Sequence, residues 1–334
     1  MYDCICIGSA TQDVFVLSRG AQIHRLQHVE GEQAYLAFEY GAKIMVEELF
    51  VSAGGGAVNT STSLAHLGLS SAIVCEVGDD DSAAMIRGAL QEAGVDVSLM
   101  ITNCCLHTGY SVILTGFDGD RTVLVHRGAA RDLTREEIPW ELLADSQWLF
   151  LGAMTGESAM IWDEMANFVR GHEVKLAINP GSQQIRLGLE GLRPILEVTT
   201  ALFLNREEAY ALLGHQPARG PEDEREALQA LQATGCRQVI MTDGPRGAYG
   251  FDGQQYVFVP ALTQEPVSTL GAGDAFAAGC VAALWRGMDL TAALQVGSLN
   301  AGSVVQSLGG TSGLLTWEQV QARLGEMTAE ITPV

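Results

Sequence analysis

Residues 268–274 read S-T-L-G-A-G-D and run directly into A-F-A-A-G-C-V-A-A-L-W, a stretch apolar nearly all round. Such a stretch predicts a buried helix, with its N-terminus at Gly271, Ala272 and Gly273. Small residues let a ligand approach the backbone closely. Unpaired first-turn N–H groups and the positive end of the helix dipole make an anion site there. Asp274 falls in that first turn. A carboxylate beside an anion site repels phosphate unless it has a task, and the natural task is to accept a proton from an attacking hydroxyl. The structural alternative is a plain helix-capping aspartate.

Four further segments carry groups of the same kind. Gly54, Gly55 and Gly56 lead through Ala57 and Val58 to Asn59 at the start of a helical pattern. Bare backbone plus an amide suits sugar hydroxyls, or else a flexible loop and a helix-starting Asn. Asp13 closes G-S-A-T-Q-D after the first strand, where open α/β sheets bind ligands, or else it is an ordinary loop acid. Asn205 and Glu208 stand one helical turn apart in N-R-E-E. Such a pair can hold a hydrated Mg²⁺ or form a capping box. Thr242, Gly244 and Gly247 lie in the turn-rich T-D-G-P-R-G, suited to a nucleotide or to a plain turn. A second glycine-rich loop, S-L-G-G-T-S-G, spans 307–313.

These groups need a scaffold, and the chain alternates short β-rich runs with helical patterns. Strands are predicted at 3–7, 71–77, 147–151, 175–179, 201–205 and 238–242; helices at 58–67, 81–93, 158–170, 206–213 and 224–233. That repetition predicts an α/β fold: a doubly wound, mostly parallel sheet with helices on both faces. Two regions break the rhythm, about 14–52 and 107–127. The second reads as a hairpin, 108–114 and 122–126, turning at G-F-D-G, 116–119. Both are expected to form a small β-sheet lid over one end of the main sheet. The segment 215–225 reads as a polar loop inside a single domain spanning 1–334.

Composition narrows the partners. With 19 basic and 40 acidic residues the net charge is −21. So acidic a surface repels phosphate backbones and anionic membranes, so neither nucleic acid nor a membrane is expected as a partner. The seven cysteines sit mostly in apolar runs with no C-x-x-C. Reduced core thiols in a cytoplasmic protein are expected rather than a disulfide framework or a zinc site. No signal peptide and no apolar run long enough to span a bilayer is read. Lys43 and Lys175 are the two lysines. No G-x-x-x-x-G-K-[ST] occurs, which excludes a P-loop, and no protein-kinase strand lysine is available. Phosphate charge would have to meet backbone N–H groups, Mg²⁺ or arginine.

Taken in order, Asp13, the Gly54-Gly55…Asn59 segment, Asn205-x-x-Glu208, the Thr242-x-Gly-x-x-Gly247 turn and Gly271-Ala272-Gly273-Asp274 resemble the PfkB family of carbohydrate kinases, within the ribokinase-like superfamily. The resemblance runs from Cys4 to about Leu324; its specific parts are the Gly-Ala-Gly-Asp helix and the Gly-Gly…Asn segment. It implies an ATP-dependent phosphotransferase acting on a hydroxymethyl group of a sugar or sugar-like molecule. It implies Asp274 as general base, with Gly271, Ala272 and Gly273 as the anion hole. Asp13, Gly54, Gly55 and Asn59 would grip the sugar. Asn205, Thr242, Gly244, Gly247 and Gly273 would meet the nucleotide, with Glu208 reaching Mg²⁺ through water. Ser268 stands where the family often has an aspartate tied to a monovalent-cation site, so a potassium requirement does not carry over. Met154 lies where a sugar-contacting glutamate is common, Ala130 where Asn is common, and Asn179-Pro-Gly where Asp-Pro is usual. The sugar is therefore left unnamed.

Nucleoside and phosphosugar kinases share the scaffold, and Arg127 or Arg131 near the hairpin could hold an acceptor's phosphate. ADP-using relatives share it too. A catalytically silent sugar-binding regulator is the reading outside enzymes. A nicotinamide oxidoreductase is disfavoured because G-S-A-T-Q-D is not G-x-G-x-x-G. The aromatic segment 34–40, A-Y-L-A-F-E-Y, offers a lid surface through which two copies could pair.

Overall fold

The four residues of Cys4–Ile7 (β1) are buried on every side in the computed structural model. A strand with no polar face needs cover on both sides, which a parallel sheet between helical layers supplies. The structure describes residues 1–17, 22–28, 31–115, 121–215, 221–262 and 266–333. The predicted turn at 116–119 and part of the polar loop at 215–225 lie outside the described residues.

After β1 come β2 (Thr11–Leu17), β3 (Gln22–His28), β4 (Gly31–Ala37), β5 (Glu48–Gly54), α1 (Gly56–His66), β6 (Ser71–Val74), β7 (Glu76–Gly78) and α2 (Asp81–Glu92). Next are β8 (Ile101–Asn103), β9 (Gly109–Thr115), β10 (Arg121–His126), α3 (Trp140–Ala144), β11 (Trp148–Leu151), α4 (Ile161–Arg170), β12 (Lys175–Ile178), α5 (Ser182–Ile185) and α6 (Gly188–Leu196). The chain continues through β13 (Ala201–Asn205), α7 (Arg206–Leu213), α8 (Pro221–Gln232), β14 (Gln238–Thr242), β15 (Gly247–Phe251) and β16 (Gln255–Pro260). It closes with α9 (Ala272–Trp285), α10 (Leu290–Val304), α11 (Trp317–Arg323) and β17 (Glu330–Pro333).

The main sheet runs β17-β16-β15-β14-β13-β12-β11-β1-β6. From β6 to β14 every pairing is parallel, as expected. From β14 to β17 the sheet continues as an antiparallel meander that the β-α reading did not foresee. Alternation along β1 divides the core. Cys4 and Cys6 face α1, α9 and α10, while Ile5 and Ile7 face α4 and α6. Predicted strand 71–77 is broken at Cys75: β6 joins the main sheet, and β7 pairs instead with β8. Predicted helix 158–170 begins as a 3₁₀ turn and becomes α-helical at Ile161.

α9 is apolar all round because every side is occupied. Residues Ala275 to Leu284 are buried, with α1 and α10 packed against it. Gly279 meets Gly297 of α10 so closely that a Cβ on either would strike the other helix. Asn300 of α10 is fully buried and braces this cluster. Its Nδ2 donates to Ser63 Oγ of α1 and to the Ala275 carbonyl, both at 2.8 Å, and its Oδ1 accepts from Leu315 N–H at 3.2 Å. Asn300→Ala would strand the Leu315 donor and free both helices. It should cost about 2–4 kcal/mol in urea unfolding.

The two regions expected to form a lid build a second, four-stranded sheet, with shifted edges. It runs β10-β9-β2-β5, with β2 and β9 parallel. It therefore begins at Thr11 and ends its second strand at Gly54, outside the predicted 14–52. The hairpin of β3 and β4 pairs only with itself among the described strands. All seven cysteines are free thiols. No helix among the described residues is long and apolar enough to cross a membrane.

Candidate active site

The N-cap of α9 is Gly271, with φ 76° and no side chain capping the helix. The left-handed angle favours glycine, and so does the space: a Cβ there would stand 2.6 Å from the Gly310 carbonyl oxygen. Gly310 in turn lies flat against the Asn59 side chain, where its own Cβ would be 2.7 Å from Oδ1. The second glycine-rich loop thus packs onto the helix tip, a contact that sequence distance concealed. Around Gly273 the tip is open, with no atom within 4 Å of where a Cβ would stand. Ala272 N–H reaches back to the Thr269 carbonyl at 3.4 Å, a long bond, and no side chain caps the helix, so the first turn keeps N–H capacity for an anion.

Asp274 turns toward α1, where Asn59 Nδ2 donates to its Oδ2 at 2.7 Å. Burial pushes the Asp274 carboxyl up to about 6; the Asn59 hydrogen bond opposes this and the nearby Asp13 charge adds to it. A carboxylate so placed is charged at neutral pH yet more basic than a free aspartate, as a general base requires.

Asp13 is not a βα-loop acid. It lies within lid strand β2, opposite Ser52 of β5 and Ser111 of β9, and is 6% exposed. Its carboxyl is raised by burial, against hydrogen bonds from Thr11 (2.9 Å) and Ser111. Gly54 lies directly against that carboxylate, so a Cβ would come within 2.5 Å of Asp13 Cγ. Gly55, φ 95°, leaves no room beside the Ser9 carbonyl, which accepts from Ala57 N–H at 3.2 Å. Gly56 borders Asp274, a Cβ there being 3.8 Å from Oδ1. The glycine run therefore separates two carboxylates by a strip of bare backbone. Asn59 is given first to Asp274, and its buried Oδ1 has no hydrogen-bond partner. That oxygen is an acceptor awaiting a donor. Gly54→Ala should displace the Asp13 carboxylate and raise the acceptor KM about tenfold or more, with acceptor-independent ATP hydrolysis little changed. Steady-state kinetics on the preferred acceptor tests it.

Of the predicted nucleotide residues, Gly273 stands in the first turn of α9, and the other four lie at or beside the ends of β13 and β14. Asn205 and Thr242 face each other at the ends of β13 and β14, and α9 packs against β13. Asn205 and Glu208 form the capping box: Glu208 N–H donates to Asn205 Oδ1, and Asn205 N–H to Glu208 Oε2, both at 2.8 Å. Glu208 is half-buried, and burial raises its carboxyl despite the Asn205 N–H bond. Gly244 is open, whereas Gly247 is a glycine because the β16 backbone at Val259 to Ala261 fills the space of a side chain. This end is tied by charged residues inside and beside those two motifs. Buried Arg206 donates through Nε to Glu224 at 3.0 Å and lies 3.7 Å from Asp243, which Arg246 meets at 2.8 Å.

Ser9 also lines a cavity of about 80 Å³ with Arg127, Ala130, Met154, Thr155 and Gln183. Met154 and Ala130, both departures from the family pattern, lie together here. Ser268 forms a local turn, accepting from Leu270 N–H at 3.3 Å. No three His, Cys, Asp or Glu side chains gather as a metal cluster among the described residues.

The model of the pfkB family of carbohydrate kinases matches residues 24–317. The chain is 28% identical over 278 residues to ribokinase of Bacillus subtilis, covering 81% of this chain and 87% of that one. It is 25% identical over 259 residues to cytidine kinase of Thermococcus kodakarensis, covering 77% and 88% respectively. The crystal structure of ribokinase from Thermotoga maritima superposes with a TM-score of 0.78 at 21% identity, over 97% of this chain and 100% of that one.

Proposed function

The chain belongs to the pfkB family of carbohydrate kinases, and from that premise we propose that it moves the γ-phosphoryl group of ATP onto the hydroxymethyl group of a small sugar. At the coarser level it is a sugar or nucleoside kinase. The observation that carries the finer reading is the meeting of Asp274, Asn59 and Asp13 beside the uncapped tip of α9. Asp13 and the Gly54-Gly55 strip hold the acceptor. Asp274 takes the hydroxyl proton as the oxygen attacks in line. The N–H groups of Ala272 and Gly273 at the Gly271 cap meet charge on the phosphoryl oxygens.

Asn205, Thr242 and Gly244 border the nucleotide. The capping box leaves Glu208 one carboxylate oxygen, enough to hold Mg²⁺ through water, since that ion keeps most of its waters. Mg²⁺ supplies neutralisation of phosphate charge when bound. The work is done in a single domain whose lid closes over the acceptor and excludes water. Seven free thiols support a cytoplasmic location.

The test is ADP release with ATP and Mg²⁺ across ketoses, aldoses, their phosphates and nucleosides. Acceptor-dependent release is expected with a member of the sugar class. Nucleotide binding without release from any acceptor would leave the silent regulator in its place. A second reading, an acceptor already carrying phosphate, is favoured by Arg127 in the cavity next to Ser9. Turnover of sugar phosphates but not free sugars in the same screen selects it.

The lid also supports a homodimer. Leu49 and Val51 on edge strand β5, and Val123, Leu124 and Val125 on edge strand β10, are exposed. Apolar edge strands are normally covered. Light scattering should return the mass of two chains, and one chain's mass would remove the idea.

A further inference from the structure

Five of the seven cysteines are buried; Cys104 and Cys105 are exposed, side by side. Their sulfurs lie 3.7 Å apart. They sit between β8 and β9, where the lid is fastened to the core. Cys105 N–H donates to Asn103 Oδ1 at 2.9 Å, and Asn103 Nδ2 donates to buried Glu76 at 2.7 Å. Just beyond, Thr108 is pinned three ways. Its N–H and hydroxyl donate to the two Asp80 oxygens at 2.8 and 2.6 Å, and its Oγ1 accepts from Gly78 N–H at 2.9 Å. The His107 carbonyl accepts from Ala129 N–H at 2.8 Å. Gly109 then starts β9, which sets Ser111 opposite Asp13.

We propose that Cys104 and Cys105 form a thiol–disulfide exchange site, and that its closure to a vicinal disulfide loosens the root of the lid. The oxidant is a low-molecular-weight disulfide. One cysteine thiolate attacks a sulfur of the reagent; the reagent's S–S bond breaks and one thiolate leaves. The neighbouring cysteine thiolate attacks the protein sulfur of that mixed disulfide and expels the second reagent thiolate. Two protein thiols are oxidised, one reagent disulfide is reduced to two thiols, and the two protons end on those thiols. Both sulfurs are accessible and within a short move of bonding distance, about 2.05 Å.

The move reaches the lid because the backbone must take part. Neighbouring Cα atoms lie about 3.8 Å apart across a trans peptide, while bridged cysteines usually need about 4.4 Å or more. Closing the ring therefore shifts the 104–105 peptide, and with it the Cys105–Asn103 hydrogen bond, three residues before Thr108. The effect on turnover rests on the kinase reading; the thiol chemistry does not.

The experiment treats the full chain with oxidised glutathione under native conditions. The expected product is about 2 mass units lighter than the reduced protein, carries no adduct, and has lost both fast-alkylating thiols. Hydrogen exchange in β9 should accelerate about threefold or more and return on adding dithiothreitol. A Cys104→Ser, Cys105→Ser double variant should show neither change, and either single variant should stop at the glutathione adduct. A stable adduct on the unaltered chain would overturn the exchange site. A closed disulfide with unchanged exchange in β9 would overturn the link to the lid. Failure of the kinase reading would appear only in the ADP assay and leave both readouts intact.

Discussion

Asp274→Asn should lower kcat by roughly 10² to 10⁴ on the preferred acceptor, the range for losing a general base, while nucleotide binding persists. The amide keeps the shape and can still accept from Asn59, so the loss isolates proton transfer from geometry. Wild-type kcat/KM should fall below about pH 6, where Asp274 takes up a proton, and the variant should lack that limb. Stability should move the other way. The carboxyl is raised from 3.8 to about 6, so between those values the folded state holds a proton that the unfolded chain has released. Folding is therefore penalised by the charge above about pH 6 and not below 3.8. The asparagine variant should melt higher at pH 8, by about 2 °C or more, and the gain should vanish toward pH 4. Wild-type turnover from Asp274→Asn would end the assignment.

Gly273→Asp should abolish turnover, by about 10³ or more, without unfolding the protein. The space around Gly273 is empty, and a carboxylate in the first turn of a helix is favourable to the helix itself. The melting temperature should hold or rise. The same charge stands where the transferring phosphoryl group must come, and repels it. A folded, active Gly273→Asp would show that the tip of α9 is not where phosphate goes. A folded, inactive one separates charge at the tip from damage to the core, a distinction Gly271 cannot offer because its neighbour Gly310 touches it.

The sequence made parts of this legible because local composition and tertiary role agreed. The stretch after Asp274 is apolar all round, and α9 is enclosed on all sides. Strands β13 and β14 span the predicted 201–205 and 238–242, each carrying its apolar run inside. The antiparallel edge was missed although Asp252-Gly253 marks a hairpin between β15 and β16, Asp252 accepting from Gln254 and Gln255 N–H at 2.9 Å. The sequence alone does not place Asp13, because the eight residues G-S-A-T-Q-D-V-F fit a loop before a helix as well as the strand that the chain enters after β1. Asn205 and Glu208 show one spacing open to two readings: the capping box is formed, and the proposed metal role would use what it leaves. The contact among Asn59, Gly271 and Gly310 was invisible, since only the fold brings those positions together.

The uncapped tip of α9 has a regulatory corollary. Its positive potential belongs to peptide groups, which no acetylating or carbamylating reagent can neutralise. Of the two lysines, Lys175 lies over the Trp148 ring, 5.3 Å from its centre, at the start of β12, and Lys43 belongs to the stretch between β4 and β5. If the tip of α9 meets the phosphoryl group as proposed, covalent control would act on the shape and closure of the cleft, because that part of the charge is written into the main chain.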